Sequence, residues 1–219
     1  MLAIITGILV SYLFGSVPTA YIFGRLLKGI DIRNFGSGNV GATNALRVLG
    51  RGPGIAVLIL DMLKGFLSVA FLGGIIADKT TNIPQDLLYI ILGISCICGH
   101  NWTVFLRFKG GKGIAATFGA LAGLAVKISG IKLIFGFVVL TWLIIFIICR
   151  IVSLASILSG IALPIYMLFF RQKPVLIASG ILLSLFILLR HKSNLKRLFQ
   201  GKEPRLNLMR PQLTERKRT

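Results

Sequence analysis

The sequence is poor in negative charge. Its 219 residues contain only 6 aspartates and glutamates, against 25 lysines and arginines, and the formal net charge is +19. Hydrophobic residues make up 55% of the chain. Water-soluble domains rarely combine so apolar a composition with so few carboxylates. The composition therefore argues against a soluble globular protein.

Cysteine and histidine are also scarce. Cys96, Cys98 and Cys149 all lie within hydrophobic runs, without clustered histidine or carboxylate partners. This pattern argues against both a disulfide framework and a zinc site. We expect the three thiols to pack within the apolar core.

Charge is absent from several long stretches of the chain. The uncharged runs are residues 1–24, 87–106, 133–149, 151–170 and 174–189. A helix needs about 20 apolar residues to cross the hydrocarbon layer of a bilayer. The sequence therefore predicts an all-α protein, a polytopic integral membrane helical bundle.

Two further apolar runs are less regular. Residues 52–77 are long enough to cross but contain Asp61 and Lys64, which share one helical face and are expected to pair. Residues 113–126 are short and rich in glycine and alanine, so they form either a tightly packed short span or a re-entrant segment. We count about seven transmembrane helices, with five spans plus a re-entrant hairpin as the alternative.

The distribution of basic residues predicts the orientation. With the amino terminus outside, most lysines and arginines fall on cytoplasmic segments, as the positive-inside rule requires. We expect one membrane-embedded domain over residues 1–208 and a basic cytoplasmic tail over residues 209–219. Membrane topology and anionic headgroups account for the positive charge. The expected partners therefore include membrane lipids and no nucleic acid.

Three polar segments fall on the predicted cytoplasmic side. The first motif is "GSGNVGATNALRVLGRG" (36–52), the second is "GHNWTVFLRFKGGKGIAATFG" (99–119), and the third is "RHKSNLKRLFQGKEPRLN" (190–207). The predicted outer loops are short or carry no comparable polar motif. We expect the three motifs to converge on a site that is reachable from both the cytosol and the lipid.

The first motif matches the dinucleotide-binding pattern G-x-G-x-x-G, but a membrane span precedes it where that fold requires a strand. A nucleotide site is therefore not expected. Glycine amides followed by a helix start nevertheless suit an anion, and Arg47 can hold a phosphate by charge-assisted hydrogen bonds. A flexible interfacial loop with topogenic arginines is the alternative.

The second motif places Lys112 among glycines, which suits a phosphate, although Leu106 and Gly113 break the Walker A pattern. His100 is either structural or a general base. In the third motif, an interfacial helix is expected after the last span. Glu203 is interpreted as a salt-bridge partner that orients basic side chains, with substrate binding as the alternative.

Together the motifs resemble those of the bacterial acyl-phosphate:glycerol-3-phosphate acyltransferase family, known as PlsY. The resemblance extends to about Leu208 and includes "GSVPTAYIFGR" (15–25) in the first span. It implies a small seven-span enzyme of the inner membrane, with its active site facing the cytoplasm. Such an enzyme moves a fatty acyl group from acyl phosphate to the 1-hydroxyl of glycerol 3-phosphate and makes lysophosphatidic acid and inorganic phosphate.

The correspondence with the family, together with the motifs themselves, predicts the site residues. The expected catalytic residues are Ser37, Arg47, His100, Lys112 and Asn194. The expected substrate- and phosphate-binding residues are Gly36, Gly38, Asn39, Thr43, Asn44, Lys109, Gly110, Gly111, Gly113, Thr117, His191, Ser193, Arg197 and Glu203. No metal and no cofactor are expected, because phosphate-bound metals usually take carboxylate ligands and the motifs offer only Asp31 and Glu203.

The resemblance also bears on mechanism and partners. The His-x-x-x-x-Asp pair of other acyltransferases is missing, since Val104 and Leu195 stand at the acidic position. We therefore predict direct, substrate-assisted transfer. The expected protein is a monomer, in transient contact with the enzyme that produces the acyl phosphate. The alternative function is a transporter of a phosphorylated solute, which would place polar groups near the bilayer midplane in broken helices.

Overall fold

The computed structural model describes residues 1–81 and 83–206. Every regular element in this part of the chain is a helix, which confirms the predicted all-α class. The predicted basic tail, residues 209–219, lies outside the described residues.

Eleven α-helices follow one another in the described part. They are α1 (Leu2–Ser16), α2 (Thr19–Lys28), α3 (Ala42–Val48), α4 (Arg51–Leu67), α5 (Gly73–Ala77), α6 (Gln85–Asn101), α7 (Ile114–Lys127), α8 (Ile131–Cys149), α9 (Val152–Phe169), α10 (Pro174–Arg190) and α11 (Lys192–Phe199). A π-helical turn, Ser68–Leu72, joins α4 to α5. Short 3₁₀ turns, Ile32–Asn34 and Val104–Leu106, precede the first and second glycine loops.

Five helical segments are long and apolar enough to cross a membrane. They are Leu2–Lys28, Arg51–Ala77, Gln85–Leu106, Ile131–Cys149 and Val152–Phe169. The pair α10 and α11 qualifies only when taken together, with a bend of 64° between its helices. Helix α7 is apolar but has only 14 residues. The polytopic membrane bundle is confirmed, whereas the count of seven spans stays a prediction.

Helix α7 lies in the centre of the bundle and runs along the whole of α6. Gly113, just before its amino-terminal end, lies against Asn101 at the carboxyl end of α6. Lys127, at its carboxyl end, has its ammonium 5.7 Å from the ring centroid of Tyr89, near the start of α6. The segment is therefore one continuous helix, and its assignment as a full span or a re-entrant segment stays a prediction. Gly119 lets it touch α4, since a Cβ there would lie 1.8 Å from the Met62 carbonyl oxygen.

A second, smaller apolar cluster lies beneath the first motif. Ile32 and Val48 are completely buried there, with Ala20 of α2 and Val57 of α4. Burying such a side chain contributes roughly 1.5 to 3 kcal/mol. The loop between α2 and α4 is therefore packed onto the bundle, which contradicts the alternative of a flexible interfacial loop.

The charged pair inside the second span forms as predicted. The Asp61 carboxylate and the Lys64 ammonium are 2.7 Å apart, and both side chains are buried. The structure adds a break in the first span at Val17 and Pro18, which the run of uncharged residues did not reveal.

Candidate active site

The three motifs meet at one end of the bundle. Lys112 of the second motif donates a hydrogen bond to the Asn194 side-chain oxygen of the third. Arg190, where α10 ends, donates to the carbonyl oxygens of Gly110 at 3.2 Å and Gly111 at 2.6 Å. The convergence of segments that are more than 70 residues apart in sequence is the one that the charge pattern predicted.

Glu203 lies at the centre of the third motif. Its carboxylate accepts hydrogen bonds from the Ser153 hydroxyl at 2.7 Å, the Asn194 amide at 2.5 Å and the Arg197 guanidinium at 2.7 Å. Burial alone would raise the pKa of Glu203, but these three donors outweigh it and lower the pKa. The segment is anchored where the Leu206 amide donates to the Arg150 carbonyl at 2.7 Å. Glu203 is therefore an ionised acceptor that forms an ion pair with Arg197, and its role toward the substrate stays a prediction.

Lys112 lies half-buried beside this carboxylate. Burial, and after it the positive charges of Arg197, Arg47 and Arg190, lower the pKa of Lys112 to about 8, against the opposing field of Glu203. An ammonium whose charge is poorly compensated is stabilised by an arriving anion.

Arg47 reaches the same cluster from α3. Burial lowers its pKa, the charge of Glu203 raises it and that of Arg197 lowers it. Within the described part of the chain, the Arg47 side chain donates no hydrogen bond, so its guanidinium is available to a ligand. Three arginines, Arg47, Arg190 and Arg197, therefore lie near Lys112, and one carboxylate, Glu203, opposes these four cations. The excess of positive charge suits an anionic substrate.

The first glycine loop is shaped from inside by Asn44. Its side-chain oxygen accepts the Ser37 amide at 2.8 Å, and its amide group donates to the carbonyl oxygens of Ile32 and Phe35. Gly36 has a φ of 58°, and a Cβ there would lie 2.4 Å from the Asn44 oxygen. Asn44 therefore fixes the loop, while the Ser37 side chain is left exposed.

The second glycine loop packs against the end of α6. The Gly110 amide donates to the Asn101 carbonyl at 3.2 Å, and the Gly111 amide donates to the His100 carbonyl at 2.9 Å. These amides satisfy the last carbonyls of α6. Phosphate binding by these two amides stays a prediction, since both already have acceptors here. The first amides of α7, which follow Gly113, have no acceptor within their own helix and point toward the loop.

The remaining predicted residues lie around this cluster in different surroundings. His100 is buried, with its Nδ1 3.8 Å from the Asp61 carboxylate, and His191 Nδ1 is bound to the Ile187 carbonyl at 2.8 Å. Lys109 and Ser193 are exposed, whereas Asn39 and Thr43 are partly buried beside the first loop. Gly38 has a φ of 71° and continues the turn that Gly36 begins.

An apolar cleft between α7, α8, α9 and α10 begins at the cluster. Its lining includes Ile114, Thr117, Ser156 and Ile187. Ile114 follows Lys112 by two residues, Ser156 follows Ser153 by three, and Ile187 precedes Arg190 by three. The cleft therefore extends from the cationic cluster into the membrane-spanning part of the bundle.

Sequence reasoning missed two members of the cluster. Ser153 lies in an apolar run, where serine is common and carries little signal. Arg190 is the first residue of the third motif but was not among the predicted site residues, although its guanidinium carbon lies 5.5 Å from the ring centroid of Trp102. Its place in that motif was the available clue.

The chain matches known proteins over most of its length. Residues 5–201 match the family described as glycerol-3-phosphate acyltransferase. A glycerol-3-phosphate acyltransferase of Nostoc sp. (strain PCC 7120 / SAG 25.82 / UTEX 2576) is 43% identical over 91% of this chain and 90% of its own length. One of Desulforamulus reducens (strain ATCC BAA-1160 / DSM 100696 / MI-1) is 40% identical over 88% of this chain and 90% of its own.

Two solved structures have the same fold. Crystal structures of PlsY, an integral membrane glycerol 3-phosphate acyltransferase, were determined in a glycerol 3-phosphate form and a lysophosphatidic acid form. The first has a TM-score of 0.81 and 33% identity, covering 93% of this chain and 96% of its own. The second has a TM-score of 0.78 and 32% identity, covering 94% and 96%. With the converging motifs and the membrane bundle, these matches establish that the chain belongs to the glycerol-3-phosphate acyltransferase family of integral membrane proteins related to PlsY.

Proposed function

We propose that this protein transfers a fatty acyl group from an acyl phosphate to the 1-hydroxyl of glycerol 3-phosphate. The products are lysophosphatidic acid and inorganic phosphate. The observation that carries the proposal is the cluster of Arg47, Arg190, Arg197 and Glu203 around Lys112, at the head of an apolar cleft. A cationic site next to an apolar cleft suits reactants with a phosphate at one end and a hydrocarbon chain at the other.

The acceptor is supported by the relatives. Both solved neighbours are glycerol 3-phosphate acyltransferases, one in a glycerol 3-phosphate form and the other in a lysophosphatidic acid form. Glycerol 3-phosphate is a small dianion, and a cluster with net positive charge at a low-dielectric interface favours it. The acyl chain lies in the cleft beside Thr117 and Ile114.

The donor is supported by the chemistry of the site. An acyl phosphate is already activated, so its transfer needs no enzyme nucleophile. Within the described residues, Ser37 makes no hydrogen bond to a histidine, which an activated serine would require. A second phosphate also explains why one carboxylate is outnumbered by four cations.

The cationic cluster and the cleft support direct acyl transfer in a single step. The 1-hydroxyl oxygen of glycerol 3-phosphate attacks the acyl carbonyl carbon and forms the new ester bond. The bond between that carbon and the bridging phosphate oxygen breaks, and the hydroxyl proton passes to an oxygen of the departing phosphate. Lys112 and Arg47 hold the phosphates, the exposed Ser37 hydroxyl positions a reactant, and Asn194 and Glu203 keep Lys112 in place. No side-chain base, metal or cofactor takes part.

The setting of the reaction is part of the proposal. The protein lies in the inner membrane as a monomer, with the amino terminus outside and the site facing the cytoplasm. It meets the enzyme that produces its acyl phosphate only transiently. The transporter alternative has less support, because the buried Asp61 and Lys64 lie beside the end of α6 at His100, close to the site.

The decisive experiment is a reconstitution with purified components. The protein in detergent micelles receives palmitoyl phosphate and labelled glycerol 3-phosphate in the presence of EDTA, and lysophosphatidic acid is measured by chromatography. Palmitoyl-CoA and palmitoyl acyl carrier protein serve as control donors. We expect product with the acyl phosphate alone. Product from a control donor only, or a requirement for added Mg²⁺, would contradict the proposal.

A further inference from the structure

The first span is interrupted where it approaches the site. Helix α1 ends at Ser16 and α2 begins at Thr19, with Val17 and Pro18 between them. Proline has no amide hydrogen, so carbonyl groups in the last turn of α1 lose their helical donors. Unsatisfied backbone groups are costly inside a membrane protein. The break therefore needs donors from elsewhere.

Those donors come from the buried ion pair of α4. The Lys64 ammonium donates to the Val17 carbonyl at 2.7 Å and to the Gly15 carbonyl at 3.3 Å. Its partner Asp61 accepts the Thr19 hydroxyl at 2.5 Å. Asp61, Lys64 and Thr19 are all buried. One ion pair therefore contacts both sides of the break.

The pair is oriented to match the two helix ends. The ammonium lies at the carboxyl end of α1, where the helix dipole is negative, and the carboxylate lies at the amino end of α2, where it is positive. Thr103, just beyond α6, adds a further donor to the Ser16 carbonyl at 2.5 Å. An ion pair of the opposite sense would place like charges together at both ends.

The break also contacts both glycine loops of the active site. A small pocket at the break is lined by Val40 of the first motif and His100 of the second, beside Lys64. The His100 ring lies 3.8 Å from Asp61, and its carbonyl holds the Gly111 amide, next to Lys112.

On the other side of the break, α2 supports the helix that carries Arg47. Lys28, the last residue of α2, donates to the Val48 carbonyl at the end of α3 at 2.8 Å. The direction in which α2 leaves the break therefore affects the position of Arg47.

We infer that Asp61 and Lys64 are positioning residues, which hold the broken first span in the geometry that aligns Arg47 with Lys112. They touch neither substrate, and their effect passes through Thr19 and the α1 carbonyls to one loop and through His100 to the other. The activity part of this inference rests on the proposed function, whereas the local geometry does not.

The test compares single and exchanged variants in lipid nanodiscs. The single variants are Asp61→Asn and Lys64→Met, and the exchanged variant combines Asp61→Lys with Lys64→Asp. Amide hydrogen exchange is measured over residues 15–48 and, as an internal reference, over α8 and α9. The matched control is Asp86→Asn, which removes the ion pair between Asp86 and Lys173, 2.5 Å apart, at the other end of the bundle.

We expect faster exchange over residues 15–48 in the single and exchanged variants, with α8 and α9 unchanged. The kcat/KM for glycerol 3-phosphate should fall about tenfold or more, as small misplacements of a reacting group do. The control should match the wild type in both readouts. Recovery in the exchanged variant would overturn the inference, since the orientation of the pair would then be irrelevant. Lost activity with unchanged exchange, or faster exchange throughout the chain, would overturn it as well.

If the variants at Asp61 and Lys64 do not fold, a milder pair of variants takes their place. Thr19→Val removes the hydroxyl that binds Asp61, and Thr19→Ser retains it. The first should reproduce the local exchange signature and the lower kcat/KM, and the second should restore both. Equal behaviour of the two would overturn the inference. Local exchange that changes as expected in a protein without acyl phosphate activity would instead contradict the proposed function alone.

Discussion

Lys112 donates its hydrogen bond to Asn194, which follows it by 82 residues and in turn donates to Glu203. This relay links the second motif to the third and leaves the ammonium half-buried. Under the proposed function, a phosphate binds the remaining ammonium hydrogens, which are directed away from Asn194.

The lowered pKa of Lys112 predicts a pH dependence. The ammonium is present below about pH 8 and is lost as the pH rises through this value. We therefore expect the KM for glycerol 3-phosphate to rise above about pH 8. In Lys112→Arg the charge persists, since an arginine pKa exceeds about 12, and the KM should stay flat. Initial rates measured at several pH values test this, and a flat wild-type KM would contradict it.

Arg47 should be essential for tight phosphate binding. We expect Arg47→Ala to lower kcat/KM about tenfold or more, because a charge-assisted hydrogen bond contributes about 1.5 to 3 kcal/mol. Lys192→Ala is the control, since Lys192 is an exposed cation on the neighbouring α11. Equal losses in both variants would mean that general positive charge, and no specific contact, attracts the substrate.

Gly111 should not tolerate a side chain. A Cβ there would lie 2.1 Å from the His100 ring nitrogen, so the loop would have to move away from α6. We expect Gly111→Ala to lower kcat/KM about tenfold or more through the displaced Lys112. Gly52→Ala is the matched control, because no atom lies within 4 Å of the added carbon. Kinetics and thermal unfolding should be compared for both, and a fully active Gly111→Ala would show that the loop adapts.

Direct transfer predicts that no acyl-enzyme forms. Incubation with radiolabelled palmitoyl phosphate alone, followed by denaturation and mass spectrometry, should leave the protein unmodified. Ser37→Ala should retain residual activity, because the hydroxyl only positions a reactant. A palmitoyl adduct on a peptide containing Ser37 would instead establish a covalent mechanism.

The topology can be tested by labelling single cysteines. In a background without Cys96, Cys98 and Cys149, cysteines replace either Asp78 or Ser193, both of which are exposed. An impermeant maleimide should label the first from outside intact spheroplasts and the second only after permeabilisation. Labelling of both positions from the same side would contradict the predicted count of seven spans.

The long uncharged runs predicted the helices well, because burial in a bilayer leaves little choice of residue. The run at residues 133–149 corresponds to α8, Ile131–Cys149, and the run at residues 174–189 corresponds to α10, Pro174–Arg190. The break at Pro18 was not predicted, since it lies within one uncharged run, residues 1–24. Its donors lie in α4, and only the tertiary structure brings them there.

The site was predictable to the extent that it uses charged or conformationally special residues. Lys112, Arg197 and Glu203 stand out in an apolar sequence, and all lie in the cluster. Ser153 joins them through a single hydroxyl, a role that no local pattern distinguishes from ordinary helix packing. The direction of the Gly110 and Gly111 amides likewise depends on where α6 ends, which pattern alone does not specify.

Glu203 follows every apolar helix of the described chain, and it enters the cluster through the contact between Leu206 and Arg150. During synthesis, the apolar helices that precede Glu203 therefore leave the ribosome before this carboxylate does. A chain truncated before Glu203 would keep those helices but would lose the acceptor that fixes Asn194 and Arg197.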